Sequence, residues 1–93
     1  MVYSLELSRT AQKALDKLSS NEVKKIYIHL EEIMMDPYRP RPLADIVPVA
    51  GSGTPPAYRL RIGKLRVEYA VFEKENTIKI AKIFPKKRKS DYR

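Results

Sequence analysis

The sequence predicts an α+β domain in which a two-helix hairpin packs on a small antiparallel sheet of about four strands, in the order β-α-α-β-β-β. Residues 58–69 alternate apolar and charged side chains on both sides of Gly63-Lys64, a pattern typical of two strands joined by a tight turn. Helical periodicity is found between residues 9 and 35, and the 93 residues are enough for one modest core.

The predicted hairpin carries the first indication of function. Gly63 at the first central position suits a type II′ turn. A two-residue loop fixes four cross-strand pairs, which are Ile62–Leu65, Arg61–Arg66, Leu60–Val67 and Arg59–Glu68. Glu68 can balance Arg59, whereas Arg61 and Arg66 are predicted to have no partner in their row. Opposed like charges destabilise a sheet, and a guanidinium matches phosphate geometry. Either this face binds an anion, or the two arginines simply extend into water.

Two helices are predicted before the hairpin. Ser8 can cap a helix over residues 9–18, and Ser19-x-x-Glu22 fits a capping box for a second helix that ends near Met35. The apolar residues of the second helix recur at helical spacing and predict its buried face, formed by Val23, Ile26, Tyr27, Leu30, Ile33 and Met34.

The remaining segments complete the order of elements. Residues 2–7 alternate and residues 77–84 are rich in β-branched and apolar side chains, so both are predicted strands. Residues 36–57 contain six prolines and two glycines, which exclude a long regular element. Within this connection, three apolar residues are predicted to contact the core: Leu43, Ile46 and Val47.

The positive charge is concentrated in the second part of the chain. The formal net charge is +8, yet residues 1–56 contain seven basic and seven acidic residues, so the whole excess lies in residues 57–93. This part of the chain includes the predicted hairpin and a basic tail over residues 85–93, with an aromatic residue, Tyr92, near its end. Such asymmetry indicates a polyanionic partner, either a nucleic acid or an acidic protein.

Composition also narrows the class of protein. There is no Cys, and the one His, His29, lies on the flank of the second helix, where it is predicted to face solvent. We therefore expect no metal and no cofactor. No apolar run approaches the roughly 18 residues of a membrane span, and no signal-peptide pattern is present, so the expected location is the cytoplasm.

The order of elements, together with the segment YRLRIGKLRVEY at residues 58–69, resembles the RelE/ParE toxin superfamily. The segment is similar to that family's pattern Y-[RK]-x-[RK]-x-G-x-[YL]-R-[VL]-x-Y, and the ending Asp91-Tyr92-Arg93 is similar to its closing pattern. The resemblance implies a single RelE-like domain over residues 1–93.

The resemblance also implies a function. Members of the RelE branch are toxins of type II toxin–antitoxin systems that cleave mRNA on the ribosome without a metal, by attack of a 2′-hydroxyl on the adjacent phosphate. An acidic or helical antitoxin wraps around the toxin and neutralises it. By position, the catalytic candidates are Arg59, Arg61, Arg66, Lys87, Arg88 and Tyr92. The candidates for RNA binding are Lys64, Lys79, Lys86 and Lys89. Lys86, Lys87 or Arg88 would take the family's second arginine place.

One departure from the family's pattern, at Arg59, and two alternative functions have to be considered. Some members have Lys where this chain has Arg59, and an arginine is essentially never deprotonated in proteins, so the proton acceptor would be a tail lysine or Tyr92. ParE-like members act on DNA gyrase by protein contact and cut no RNA. A non-catalytic nucleic-acid-binding module is the other alternative.

Overall fold

The computed structural model describes residues 2–86. Two helices and five strands follow one another as β1 (Ser4–Leu7), α1 (Arg9–Asp16), α2 (Ser20–Met35), β2 (Asp45–Pro48), β3 (Ala57–Ile62), β4 (Leu65–Phe72) and β5 (Thr77–Pro85). The predicted α+β class is confirmed. Four of the predicted site residues lie outside the described residues and keep only their predicted roles: Lys87, Arg88, Lys89 and Tyr92.

The five strands form one sheet in the order β1-β5-β4-β3-β2. Strands β3, β4 and β5 pair antiparallel, as predicted, and β2 also pairs antiparallel with β3. The expectation of a wholly antiparallel sheet is wrong for β1, which pairs parallel with β5. The sheet is therefore mixed. Parallel strands need a long connection, and here the helix hairpin and the strands β2 to β4 separate β1 from β5 in the chain. The strand that the sequence did not predict is β2, which adds the edge beside β3.

Both predicted helix caps are confirmed. The Ser8 hydroxyl accepts a hydrogen bond from the Ala11 amide at 3.0 Å. At α2 the Ser19 hydroxyl accepts from the Glu22 amide at 3.2 Å, while the Glu22 carboxylate accepts from the Ser19 amide at 3.0 Å. These bonds satisfy amides that have no partner inside the helix, which fixes where each helix begins.

The hairpin also forms in the predicted register, with Arg59 opposite Glu68 and Arg61 opposite Arg66. Gly63 has a φ of +55° and Lys64 does not have a positive φ, which is the pattern of a type II′ turn. The apolar face of the hairpin packs with both helices into one core, whose buried members are Ala11, Leu15, Ile26, Leu30, Ile33, Ala44, Ile46, Leu60, Ile62, Val67, Tyr69, Val71, Ile78, Ile80 and Ile83.

Four predictions about single residues are wrong. Tyr27 was expected on the buried face of α2, but it is 37% exposed. Val47 was expected to contact the core, but it is half-buried and lies opposite Arg59, on the face of the sheet away from the helices. Leu43 was expected to contact the core, but it is 47% exposed, and the neighbouring Ala44 is buried in its place. His29 was expected to face solvent, but it is half-buried and its Nδ1 lies 2.8 Å from the Leu43 carbonyl oxygen. Because a carbonyl only accepts, Nδ1 carries the proton in this contact, and His29 ties the connection before β2 to α2.

Within residues 2–86, no helix is long and apolar enough to cross a membrane.

Candidate nucleic-acid interface

The candidate site is the face of the sheet that points away from the helices, called here the open face. Cross-strand pairing arranges its side chains in rows across β5, β4, β3 and β2. The row nearest the Gly63 turn, called here the turn row, consists of Phe84, Arg66, Arg61 and Asp45. The next row, called here the middle row, consists of Lys82, Glu68, Arg59 and Val47.

Arg61 has a partner that the sequence did not reveal. Its Nη2 lies 2.9 Å from Asp45 Oδ1, and its Nε lies 3.1 Å from Asp45 Oδ2. The prediction that Arg61 is unpaired is therefore wrong, because β2 places Asp45 directly opposite it. This hydrogen-bonded carboxylate raises the pKa of the Arg61 guanidinium above its usual value. The two Asp45 bonds also fix the orientation of the guanidinium on the open face.

Arg66 is held in a different way. Its Nη1 donates to the carbonyl oxygens of Gly63 at 2.9 Å and of Leu65 at 2.8 Å. Within residues 2–86, no carboxylate lies within 4.0 Å of its guanidinium nitrogens. The backbone of the turn thus positions Arg66 without neutralising its charge. Of the three predicted sheet arginines, this is the one whose charge no carboxylate in the described part compensates.

The predicted pair of Arg59 with Glu68 is confirmed in the middle row. Nη2 and Nε of Arg59 lie 2.6 Å and 3.0 Å from Glu68 Oε2. Lys82, which the sequence analysis did not single out, lies on the other side, with its Nζ 3.8 Å from Glu68 Oε1. One carboxylate therefore holds two cations next to the turn row.

The predicted RNA-binding lysines of the described part are not all together. The Lys86 amide donates to the Lys64 carbonyl at 2.6 Å, so both residues lie at the turn end of the sheet, close to Arg66 in the chain fold. Lys79 lies toward the opposite end, where its Nζ is 3.9 Å from Glu6 Oε1 and 4.6 Å from the centroid of the Phe72 ring. On β5, it is Lys82 rather than Lys79 that lies beside the arginines.

A second polar cluster lies at the other end of the sheet. The hydroxyls of Tyr3 and Tyr38 both donate to the Glu73 carboxylate, the former at 2.8 Å. The pKa of Tyr38 is raised, mainly because burial desolvates its hydroxyl and secondly because the hydroxyl is hydrogen-bonded to Glu73. Burial likewise raises the pKa of Tyr69, whose hydroxyl donates to the Pro37 carbonyl at 2.7 Å. These contacts join β4 and the segment after α2, and they are structural.

The arrangement of the open face suits the binding of phosphates. Guanidiniums bind phosphate through paired donors, and here each one is already oriented by a carboxylate or by backbone carbonyls. The two carboxylates of these rows, Asp45 and Glu68, both accept from arginines. Residues 2–86 contain no group of three or more His, Cys, Asp or Glu side chains that could hold a metal ion.

Comparisons with known proteins agree with this architecture. Residues 5–90 match the family described as the ParE toxin of the type II toxin–antitoxin system parDE. A protein of Methanocaldococcus jannaschii, provisionally named toxin RelE1, is 34% identical over 83 residues, which are 89% of this chain and 89% of that protein.

Solved structures show the same fold. The crystal structure of the archaeal RelE–RelB complex from Pyrococcus horikoshii OT3 superposes with a TM-score of 0.81 at 31% identity, over 95% of this chain and 99% of that one. Isolated E. coli RelE gives a TM-score of 0.76 at 17% identity, over 97% and 90% of the two chains, and shows the fold alone. The chain thus belongs to the RelE/ParE superfamily of toxins of type II toxin–antitoxin systems.

Proposed function

We propose that this toxin is an endoribonuclease that cleaves mRNA on the ribosome, without a metal, by attack of a 2′-hydroxyl on the adjacent phosphate. The observation that carries the proposal is the turn row, where Arg66 and Arg61 lie directly opposite each other on the open face. Arg61 is already paired with Asp45, whereas no carboxylate in residues 2–86 compensates Arg66, so a bound phosphate would neutralise the positive charge that this row leaves over.

In this reaction the protein forms no covalent bond with the RNA, and its main contribution is to stabilise the developing negative charge. As the 2′-oxygen bonds to phosphorus, negative charge builds on the non-bridging oxygens, and the bond to the 5′-oxygen then breaks to leave a 2′,3′-cyclic phosphate. Cations fixed at those oxygens lower the barrier, and such electrostatic stabilisation is commonly the largest catalytic term. Arg66 and Arg61 supply it in this proposal, and Arg59 with Lys82 contacts the neighbouring backbone.

The proposal also needs one group to accept the 2′-hydroxyl proton and one to protonate the leaving 5′-oxygen. Arg59 cannot accept a proton, because a guanidinium stays charged. In our proposal these roles belong to the tail, where Lys87, Arg88 and Tyr92 are the candidates.

The test is cleavage of a defined mRNA by the purified toxin, with and without ribosomes, and with a chelator present. We expect ribosome-dependent cuts that leave a 2′,3′-cyclic phosphate and a 5′-hydroxyl, unchanged by the chelator. Products of another end chemistry, or a complete lack of cleavage, would contradict the proposal.

The second candidate function is inhibition of DNA gyrase by protein contact. The observation in its favour is that the family matched over residues 5–90 is described as the ParE toxin. A gyrase supercoiling assay, run beside the ribosome assay with the same protein preparation, separates the two functions. Inhibition of supercoiling without mRNA cleavage would favour the gyrase target.

We also propose an antitoxin partner. The Pyrococcus horikoshii relative is a RelE–RelB complex, and this chain carries a net charge of +8 that lies wholly in residues 57–93. An acidic or helical antitoxin that covers the open face fits this distribution. Its affinity should fall as salt rises, because exposed charges are screened over about 10 Å at 0.1 M salt. Affinity that is independent of salt would indicate an apolar interface elsewhere, for example at Ile28 and Met35 on α2, which are 53% and 66% exposed.

A further inference from the structure

Phe84 is a large apolar side chain that lies among charges. It occupies the β5 position of the turn row, directly opposite Arg66, and its side chain is half-buried. Lys82 Nζ lies 5.9 Å from the centroid of its ring. Its row continues through Arg61 to Asp45, so no other member of the row is apolar.

Core packing does not account for this position. The adjacent Ile83 faces the helices and is 6% exposed, so the core contact of this part of β5 is made by Ile83. Phe84 lies on the opposite face of the sheet. Proteins that bind single-stranded nucleic acids combine an aromatic ring with nearby cations, because the cations hold the backbone while a base stacks on the ring. Phe84 has this setting, in the same row as two arginines and near Lys82.

We propose that Phe84 is the platform on which one RNA base stacks when the adjacent phosphate is bound by Arg66. This inference rests on the proposed function, and it adds a substrate contact that lies within the sheet and not in the tail. Stacking does not discriminate strongly among bases, since every base offers a π-face, so the Phe84 contact contributes affinity and register more than sequence preference.

The same face contains a natural control. Phe72 is also half-buried on the open face, and Lys79 Nζ lies 4.6 Å from its ring centroid. Its cross-strand partner is Thr77, at the end of β4 away from the turn row. Phe72 therefore matches Phe84 in residue type, face, burial and lysine contact, but it lacks the neighbouring arginines.

The chain contains no Trp, so one substitution creates a specific optical probe. Phe84→Trp and Phe72→Trp would each be titrated with a single-stranded oligonucleotide whose 2′-hydroxyls are methylated, which prevents cleavage. We expect quenching of Trp fluorescence at position 84 and none at position 72. In parallel, Phe84→Leu should weaken binding, measured by anisotropy of the labelled oligonucleotide, by about 5- to 150-fold, whereas Phe72→Leu should change it less than about 2-fold.

The outcomes separate this inference from the function on which it rests. Unquenched Phe84→Trp with normal binding, or Phe84→Leu with wild-type affinity, would overturn the stacking contact, and ribosome-dependent cleavage by the wild type would still support the RNase. Quenching at position 84 without any cleavage would support the contact and contradict the RNase. Thermal unfolding of each variant shows whether the fold is intact. Phe84→Trp keeps an aromatic ring and should still bind the oligonucleotide, whereas Phe84→Leu removes the ring. A wild-type protein that binds no oligonucleotide would also overturn the contact.

Discussion

Arg66→Ala is expected to lower mRNA cleavage by about 10²- to 10³-fold, the loss typical when one donor to a developing oxyanion is removed. The cost in folding stability should be small. Arg66 loses two bonds to carbonyls of the turn, at 2.9 and 2.8 Å. A net contribution of about 1 kcal/mol per bond is an upper bound here, because water can reach the exposed turn. Relief of the opposed Arg61 charge returns about 0.2–1 kcal/mol.

These opposing terms leave a net loss of no more than about 2 kcal/mol, and each kcal/mol corresponds to a Tm shift of about 4–8 °C in a domain of this size. Single-turnover cleavage on programmed ribosomes and thermal unfolding by circular dichroism measure the two effects separately. The matched control is Arg39→Ala, since Arg39 has a side chain that is 67% exposed and lies outside the open face. Wild-type cleavage by Arg66→Ala, or a loss of cleavage that follows a large drop in Tm, would refute the reasoning.

Three further predictions follow from the same contacts. Asp45→Asn removes the carboxylate that compensates Arg61, so single-stranded RNA should bind more tightly at low salt, with little change in Tm because exposed ion pairs contribute about 0–1 kcal/mol; an unchanged affinity would contradict this. Burial raises the folded-state pKa of Tyr69 and Tyr38 above 10, so their stabilisation is complete below pH 10 and is lost as pH rises through the folded-state values. Urea unfolding between pH 8 and 11 should show this loss, and Tyr69→Phe should weaken the pH dependence while costing about 1–3 kcal/mol, since a buried carbonyl loses its donor. Removal of residues 87–93 should abolish cleavage yet leave the Tm nearly unchanged, because this segment contains one large apolar side chain, Tyr92, among polar and charged ones; full cleavage by the shortened chain would exclude the tail from the site.

The hairpin could be predicted from the sequence because a two-residue turn leaves its register no freedom. Once Gly63 and Lys64 occupy the turn, the alternation of side chains decides which residues are buried, and the pairs Arg59–Glu68 and Arg61–Arg66 follow. The helix caps were predictable for a similar reason, since a cap depends on residues three positions apart and not on the tertiary fold.

Strand β2 could not be predicted in the same way. It has four residues, ends at Pro48 and lies in a proline-rich connection, so it lacks the alternation that marks a longer strand. Its conformation comes from pairing with the edge of β3, a contact between residues far apart in the sequence. Asp45 was missed as the partner of Arg61 for this reason.

The composition of the open face depends on one irregularity in β5. The pairs Tyr69–Ile80 and Glu68–Lys82 leave Ala81 as an extra residue, a β-bulge that a sequence pattern does not locate. With regular alternation after Ile80, Lys82 would face the helices and Ile83 would face solvent, which would bury a charge and expose a core residue. The bulge reverses this, so that Ile83 completes the core while Lys82 and Phe84 join the arginines. Without the bulge, regular alternation would place Lys79 on the open face and Lys82 on the helix face, so the sequence pattern alone does not indicate Lys82. The bulge that directs Ile83 into the core therefore also places Lys82 and Phe84 beside the arginines, on the surface that the proposed RNA contact requires.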